Sequence, residues 1–230
     1  MAARKEIGRA AVLDEARALA ADEGLGALTL RALARRLEIT SPALQWHVGS
    51  RDQLLLDLAD DVVAGIPLPD PGIDPVDWLR LAATATRSHF ARHAALLPLV
   101  RDLASYLPSL IDVKAAYGRA LAATGLAGTQ LEHAFNAYVG FVFGYAYAQH
   151  AQVVALSRTD AELFDALDAR RAEYADDAVA ARLLSTTRSA AAGVIPADLD
   201  ESFARGVDAL LAGLGITGAT AARPSKEPSR

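Results

Sequence analysis

At 230 residues and 24.2 kDa, with 52% hydrophobic residues, the chain suits one large or two small domains and needs no covalent staples. The absence of cysteine excludes disulfides and thiolate metal sites and agrees with a reducing, cytoplasmic setting. A net charge of −5 argues against nucleic acid for the chain as a whole. The distribution qualifies this: Met1 to Arg51 carries eight Lys and Arg against six Asp and Glu, leaving fifteen against twenty-two for the remainder.

Alanine and leucine abound and no alternating β-branched run occurs, so the chain reads as all-α. The opening "MAARKEIGRAAV" lacks the apolar core of a signal peptide, and export is not expected. Its Arg4, Lys5 and Arg9 suit a frayed, solvated terminus better than a groove-reaching arm. A first helix runs from about Ile7 to Glu23, with Val12, Ala16, Leu19 and Ala20 on one face and Gly24 as terminator. Thr29 caps a second, short helix whose Leu30, Leu33, Ala34 and Leu37 share a face. Either Thr40 or Ser41 caps the third, which tolerates Pro42 in its first turn. "SRDQ", Ser50 to Gln53, reads as a capping box opening a fourth helix with Leu54, Leu58 and Val62 inward.

Two short helices joined by a tight turn, the second presenting its N-terminal end and an exposed-looking Gln-Trp-His, form the helix-turn-helix pattern that enters a DNA major groove. The stretch "GLGALTLRALARRLEITSPALQWHVGSRDQLL" resembles, in spacing and residue type, the N-terminal domain of the TetR family of transcriptional regulators, over roughly Ile7 to Val62. The final "DLDESFARGVDALLAGLGI" is similar to the closing helix of many members. Two positions depart from the pattern. Glu38 stands at a turn position that is usually glycine, so the turn is expected to do without a freely left-handed residue, or to lose about 1 kcal/mol by keeping that conformation. Gln45 stands where tyrosine is usual, removing an aromatic phosphate contact.

The resemblance implies a double-stranded DNA operator as partner and assigns the reading surface. Thr40 heads the recognition helix, Ser41, Pro42 and Ala43 face base edges, and Gln45 donates to phosphate or pairs with adenine. Arg31 reaches a guanine or a phosphate, or is a plain solvated arginine. Trp46 and His47 hold the DNA backbone, with Trp46 as a half-buried packing residue the competing reading. Thr29 and Arg51 are further phosphate candidates.

"GIPLPDPGIDPVDW" packs Pro67, Pro69, Pro71 and Pro75 into nine residues and marks a stiff connector. The domains are therefore 1–64, a connector at 65–77, a helical ligand-binding and dimerisation domain at 78–216, and a disordered tail at 217–230. Helices are predicted near Pro75 to Arg92, Ala94 to Tyr106, Ser109 to Ala123, Thr129 to Leu156, Asp160 to Arg171, Asp176 to Ala190 and Asp198 to Leu214. His133 to Ser157 has twenty-five residues without a charged side chain. Asn136, Gln149, Gln152 and two histidines interrupt it, so it reads as a helix buried on several sides rather than a membrane span. Gly140 and Gly144 offer a strip where another backbone can approach, and Thr129–Leu156 with Asp198–Leu214 would make a four-helix homodimer interface, as the resemblance implies; the alternative is a monomeric core.

Trp78, His89, Phe90, His93, Tyr106, Phe135, Asn136, Tyr138 and Phe143 are the candidates for a small-molecule effector cavity, although aromatics at helical spacing are often plain core. The histidine-containing "HLGTRP"-like loop with which tetracycline-responsive members help hold magnesium is replaced by "DLASYLP", which argues against that inducer. His89 and His93 have a metal-ligand spacing, but no third ligand and no glutamate after His89 accompany them. No GxSxG, phosphate loop or cysteine nucleophile is present, so no enzyme, cofactor or metal is expected. The sequence thus points to a ligand-responsive repressor; a small helical enzyme and a ligand-independent DNA-binding protein are the alternatives, the latter disfavoured by the large apolar second domain.

Overall fold

A computed structural model describes residues 8–157, 161–183 and 198–216, and no strand occurs among them. The helices are α1 (Arg9–Glu23), α2 (Leu30–Arg36), α3 (Ser41–Val48), α4 (Arg51–Ala64), α5 (Pro75–Arg92), α6 (Leu97–Leu103), α7 (Pro108–Ala123), α8 (Gly128–Ser157), α9 (Ala161–Ala172) and α10 (Asp198–Gly213), with a helical stretch at 178–183. The all-α reading holds. Arg4 and Lys5, the end of the helix expected up to Ala190, and the tail from Thr217 lie outside the described residues.

Short hydroxyl caps start α2, α3 and α4. The Ala32 amide donates to Thr29 Oγ1 (3.1 Å), the Ala43 amide to Thr40 Oγ1 (3.3 Å) and the Gln53 amide to Ser50 Oγ (3.1 Å). Thr40, rather than Ser41, is therefore the cap of α3. The expected capping box at Ser50 is only half formed: the Gln53 side chain turns along the helix, where its Nε2 donates to the Asp57 carboxylate one turn ahead (Oδ1, 2.9 Å), rather than back to accept from the Ser50 amide. The helix expected from Ala94 to Tyr106 is also broken, into 3-10 turns at Ala94–Leu96 and Ala104–Tyr106 flanking α6. Pro98 fits only the first turn of a helix, so α6 begins beside it.

One continuous core runs through both halves. In the head, Val12, Ala16 and Leu19 of α1 meet Leu33 of α2, Leu44 and Val48 of α3, and Leu54 and Leu58 of α4. The same core continues through Val62 and Val63 of α4 into Leu79, Phe90, Val100, Tyr117 and Tyr138. Polar atoms carried into it find partners. Thr86 Oγ1 and Tyr117 Oη lie 2.9 Å apart, Tyr138 Oη donates to the Leu79 carbonyl (2.9 Å), and Trp78 Nε1 donates to the Pro69 carbonyl (3.0 Å). Burial pushes the Tyr117 and Tyr138 hydroxyls well above the usual phenol range, so both stay neutral.

Against α5 and α8, the closing helix α10 lies so close that a Cβ on Gly206 would sit 2.5 Å from Phe141 Cζ. Phe141 stacks on Phe203, and the buried Arg87 guanidinium lies over Phe203, its centre 5.1 Å from the ring centroid. Arg87 Nε also donates to Gln149 Oε1 (2.9 Å), and its Nη2 meets Asp200 Oδ1 at 2.6 Å, so one side chain ties three helices.

Two histidines lie where the head meets the second domain. His89 bonds through Nε2 to the Val62 carbonyl (2.7 Å), and its ring centroid is 4.5 Å from that of His93. Burial lowers both below the ordinary histidine value of 6.5; Arg92 further disfavours a cation on His89, and His89, Arg17 and Arg92 further disfavour one on His93. A histidine depressed in the folded state leaves the unfolded chain binding more protons in acid, so its contribution is intact above pH 6.5 and is lost as pH falls below it. The urea midpoint is expected to fall between pH 7.5 and 5.5, and His93→Gln should reduce that difference; a midpoint independent of pH would contradict the assignment.

Candidate nucleic-acid interface

The recognition helix α3 is divided lengthwise. Leu44 and Val48, four apart, are buried in the head core, and this fixes which side faces out. Pro42, Gln45 and Trp46 are exposed on the other side, with Ser41, Ala43 and His47 half-buried at the edges. Trp46 is 86% exposed. Its only ring neighbour among the described residues is His47, edge-on at 5.7 Å, so the packing reading of this tryptophan is corrected. A side chain of that size left in solvent contributes nothing to the core and is available to a partner.

The turn into α3 keeps the left-handed backbone despite its residue: Glu38 has φ 57°, the only positive φ outside glycine among the described residues. The Ile39 amide donates to the Ala34 carbonyl (3.0 Å) and the Glu38 amide to that of Arg35 (3.2 Å), the paired bonds of a Schellman ending. These bonds, with half-buried Ile39 packed on the core, hold the conformation that glycine would adopt without strain. The left-handed conformation is thus kept by a residue not free to adopt it, the case for which a cost of about 1 kcal/mol is expected.

Thr29, Arg31, Thr40 and Arg51 are exposed around α3. Arg51 is not free to swing, because its Nε donates to the Leu28 carbonyl (3.0 Å), which fastens α4 to the start of α2 and leaves only the guanidinium tips. Arg35 was missed by the sequence reading; it is exposed one turn beyond Arg31, and the i, i+4 spacing of the two arginines was the available signal. Arg36 points the other way, bridging Glu15, Asp22 and Glu23 and locking α2 to α1. Arg9 pairs with Asp57 and is thereby tied to α4.

The nine ligand-site candidates do not converge. Phe90, Tyr138 and Phe143 are core; Phe90 stacks on Tyr147 and meets Phe143 edge-on. His89 and His93 meet with tilted rings at the domain junction, Phe135 packs near Gly118, and Tyr106 and Asn136 are exposed. Trp78 alone lines a cavity, of about 400 Å³, between the proline connector and α7. No group of three metal-ligating side chains occurs among the described residues. No single described helix is long and apolar enough to cross a membrane.

A three-helix head with its second short helix presented outward, joined through α4 to a larger helical domain, defines a helix-turn-helix regulator fold. The model for "Bacterial regulatory proteins, tetR family" matches residues 12–58, and that for "Tetracyclin repressor-like, C-terminal domain" matches residues 68–217. The chain belongs to the tetR family of bacterial regulatory proteins. It is 34% identical over 90 residues to the class D tetracycline repressor of Escherichia coli, a match over 38% of this chain and 41% of that protein's length. The solved structure of Streptomyces coelicolor ActR in complex with actinorhodin is similar over 95% of this chain and 100% of its own, at 23% identity and a TM-score of 0.67. BioQ with its double-stranded DNA operator is similar over 70% of this chain and 95% of its own, at 22% identity and a TM-score of 0.56.

A left-handed non-glycine residue costs about 1–2 kcal/mol, partly offset by the larger entropy glycine loses on folding. Glu38→Gly is therefore expected to raise unfolding stability by about 0.5–1 kcal/mol, measured by urea denaturation. An unchanged or lowered midpoint would show that the turn is not strained.

Proposed function

We propose that this chain is a dimeric, ligand-responsive transcriptional repressor that binds a palindromic operator in the cytoplasm and is released by a small molecule. The observation that carries the DNA reading is Trp46, bare on a helix whose opposite face is locked into the core and which has exposed Pro42 and Gln45 beside it. In this reading Ser41, Pro42 and Ala43 meet base edges, Gln45 meets a base or phosphate, and Thr29, Arg31, Arg35, Thr40, Trp46, His47 and Arg51 hold the backbone or flank it. The operator complex of BioQ and the small-molecule complex of ActR support a DNA partner and an effector.

Dimerisation is read from α8 and α10. Asn136, Ala137, Gly140, Gly144 and Ala148 form an exposed stripe along α8, and a Cβ on Gly140 or Gly144 would meet nothing within 4 Å. Small residues in a row let a second helix approach closely, and a C2 pair would set two recognition helices about 34 Å apart for successive major grooves. An effector acts by binding the DNA-incompetent state better; a hundredfold release requires about 2.7 kcal/mol of differential affinity.

Selection from a random duplex pool, followed by titration at two salt concentrations, is expected to return one palindrome bound in a salt-dependent manner. Failure to enrich any sequence would sink the regulator reading. On that duplex Arg31→Ala should weaken binding by about 1–3 kcal/mol and relax one position, whereas a uniform loss with a shallower salt slope assigns Arg31 to phosphate. Trp46→Ala should weaken binding while moving unfolding stability by no more than about 0.5 kcal/mol. Light scattering should give twice 24.2 kDa for the chain and about 24.2 kDa for Gly144→Arg, with helicity unchanged.

A further inference from the structure

The cavity beside Trp78 lies outside the aromatic core of the second domain. One wall is the proline connector, with Pro69, Pro71 and Pro75; the facing wall is α7, where Ala116, Ala120 and Ala123 fall at i, i+4 and i+7 and present a floor of methyl groups. Its volume of about 400 Å³ is within the range of about 300–1,000 Å³ found for small-ligand sites.

The connector wall is preformed. Trp78 Nε1 is spent on the Pro69 carbonyl (3.0 Å), the Gly72 amide donates to Asp70 Oδ1 (2.8 Å), and Asp74 Oδ1 accepts from the Val76 amide (2.9 Å). The polar groups of this wall are thus turned to holding the wall, and the proline rings that fix its backbone add apolar surface. Arg119 is the only charged side chain lining the cavity, and it makes no ion pair with any described residue. Apolar walls with one available guanidinium match a molecule that has an apolar body and one anionic end, because guanidinium accommodates a carboxylate with two parallel hydrogen bonds.

We propose that this cavity binds an apolar carboxylic acid, its body between the prolines and the alanine face of α7 and its carboxylate on Arg119. The connector leads directly out of α4, and α4 holds the start of α7 through Asp60, which accepts from the Ser109 amide and hydroxyl (both 2.9 Å). Occupancy would therefore bear on the helix that carries the DNA head. That consequence rests on the effector reading above; binding itself does not.

The test uses the full chain with Trp46→Phe, which leaves Trp78 as the single tryptophan, and titrates octanoate and its neutral counterpart 1-octanol without DNA. Octanoate should change Trp78 emission saturably. Arg119→Gln should weaken octanoate about three- to tenfold, as a partly exposed charged contact does, and leave octanol unchanged. Ala120→Phe should abolish both by filling the space. No saturable change overturns the proposal, as does equal loss of octanoate and octanol in Arg119→Gln; that exposed substitution keeps the test decisive if Ala120→Phe fails to fold. In a second arm, octanoate should shift the operator affinity of the wild-type chain. Saturable binding without such a shift overturns the part of this cavity in the effector response and leaves the binding site standing.

Discussion

Everything in this molecule hangs on α4, one helix that belongs to the core of both halves. Leu54 and Leu58 are buried among α1, α2 and α3, while Val62 and Val63, two turns later, are buried against the second domain. Burying each such side chain contributes about 1.5–3 kcal/mol, whereas the partly exposed ion pairs on α4, Arg9 with Asp57 and Arg17 with Asp61, remain in touch with solvent and are worth about 1 kcal/mol or less each. Packing therefore decides where α4 lies. Its directional contacts, Asp60 on Ser109 and the Val62 carbonyl on His89, then fix its register against α7 and α5. A displacement of α5 or α7 reaches the head through this helix, or through the contact of α1 with the 3-10 turn that follows α5.

The exposed surface of the head follows from the same economy of core. A helix of eight residues has room for one buried pair, Leu44 and Val48, and every other position is left to solvent or to a partner. The turn before it is held by two backbone bonds and the packing of Ile39, strong enough together to keep Glu38 left-handed. A strained residue at such a point is consistent with a surface whose orientation matters more than its local stability.

In the second domain the aromatic side chains fill space with one another. Phe90, Phe143 and Tyr147 pack as a group, Tyr117 lies between Trp78 and Tyr138, and Phe141, Tyr145 and Phe203 join α8 to α10. A buried arginine is tolerated there because its charge meets a carboxylate, an amide oxygen and two ring faces. An open volume lies at the connector, where proline rings cannot collapse onto the small side chains of α7.

Local rules carried a large part of this fold. Apolar spacing identified the faces of α1, α2 and α4, hydroxyl residues marked the starts of α2, α3 and α4, and the connector prolines marked the end of α4, because each of these signals acts within one or two turns of chain. The helix-turn-helix head was legible for the same reason, its spacing being a property of consecutive residues. Tertiary structure alone decided that Glu38 keeps the left-handed turn, that Gln53 turns to Asp57, that Trp46 stands in solvent and that Phe90, Tyr138 and Phe143 fill the core. Each of these depends on which atoms compete for the same space or the same hydrogen bond across segments far apart in the chain, and residue order does not encode that competition in any local pattern.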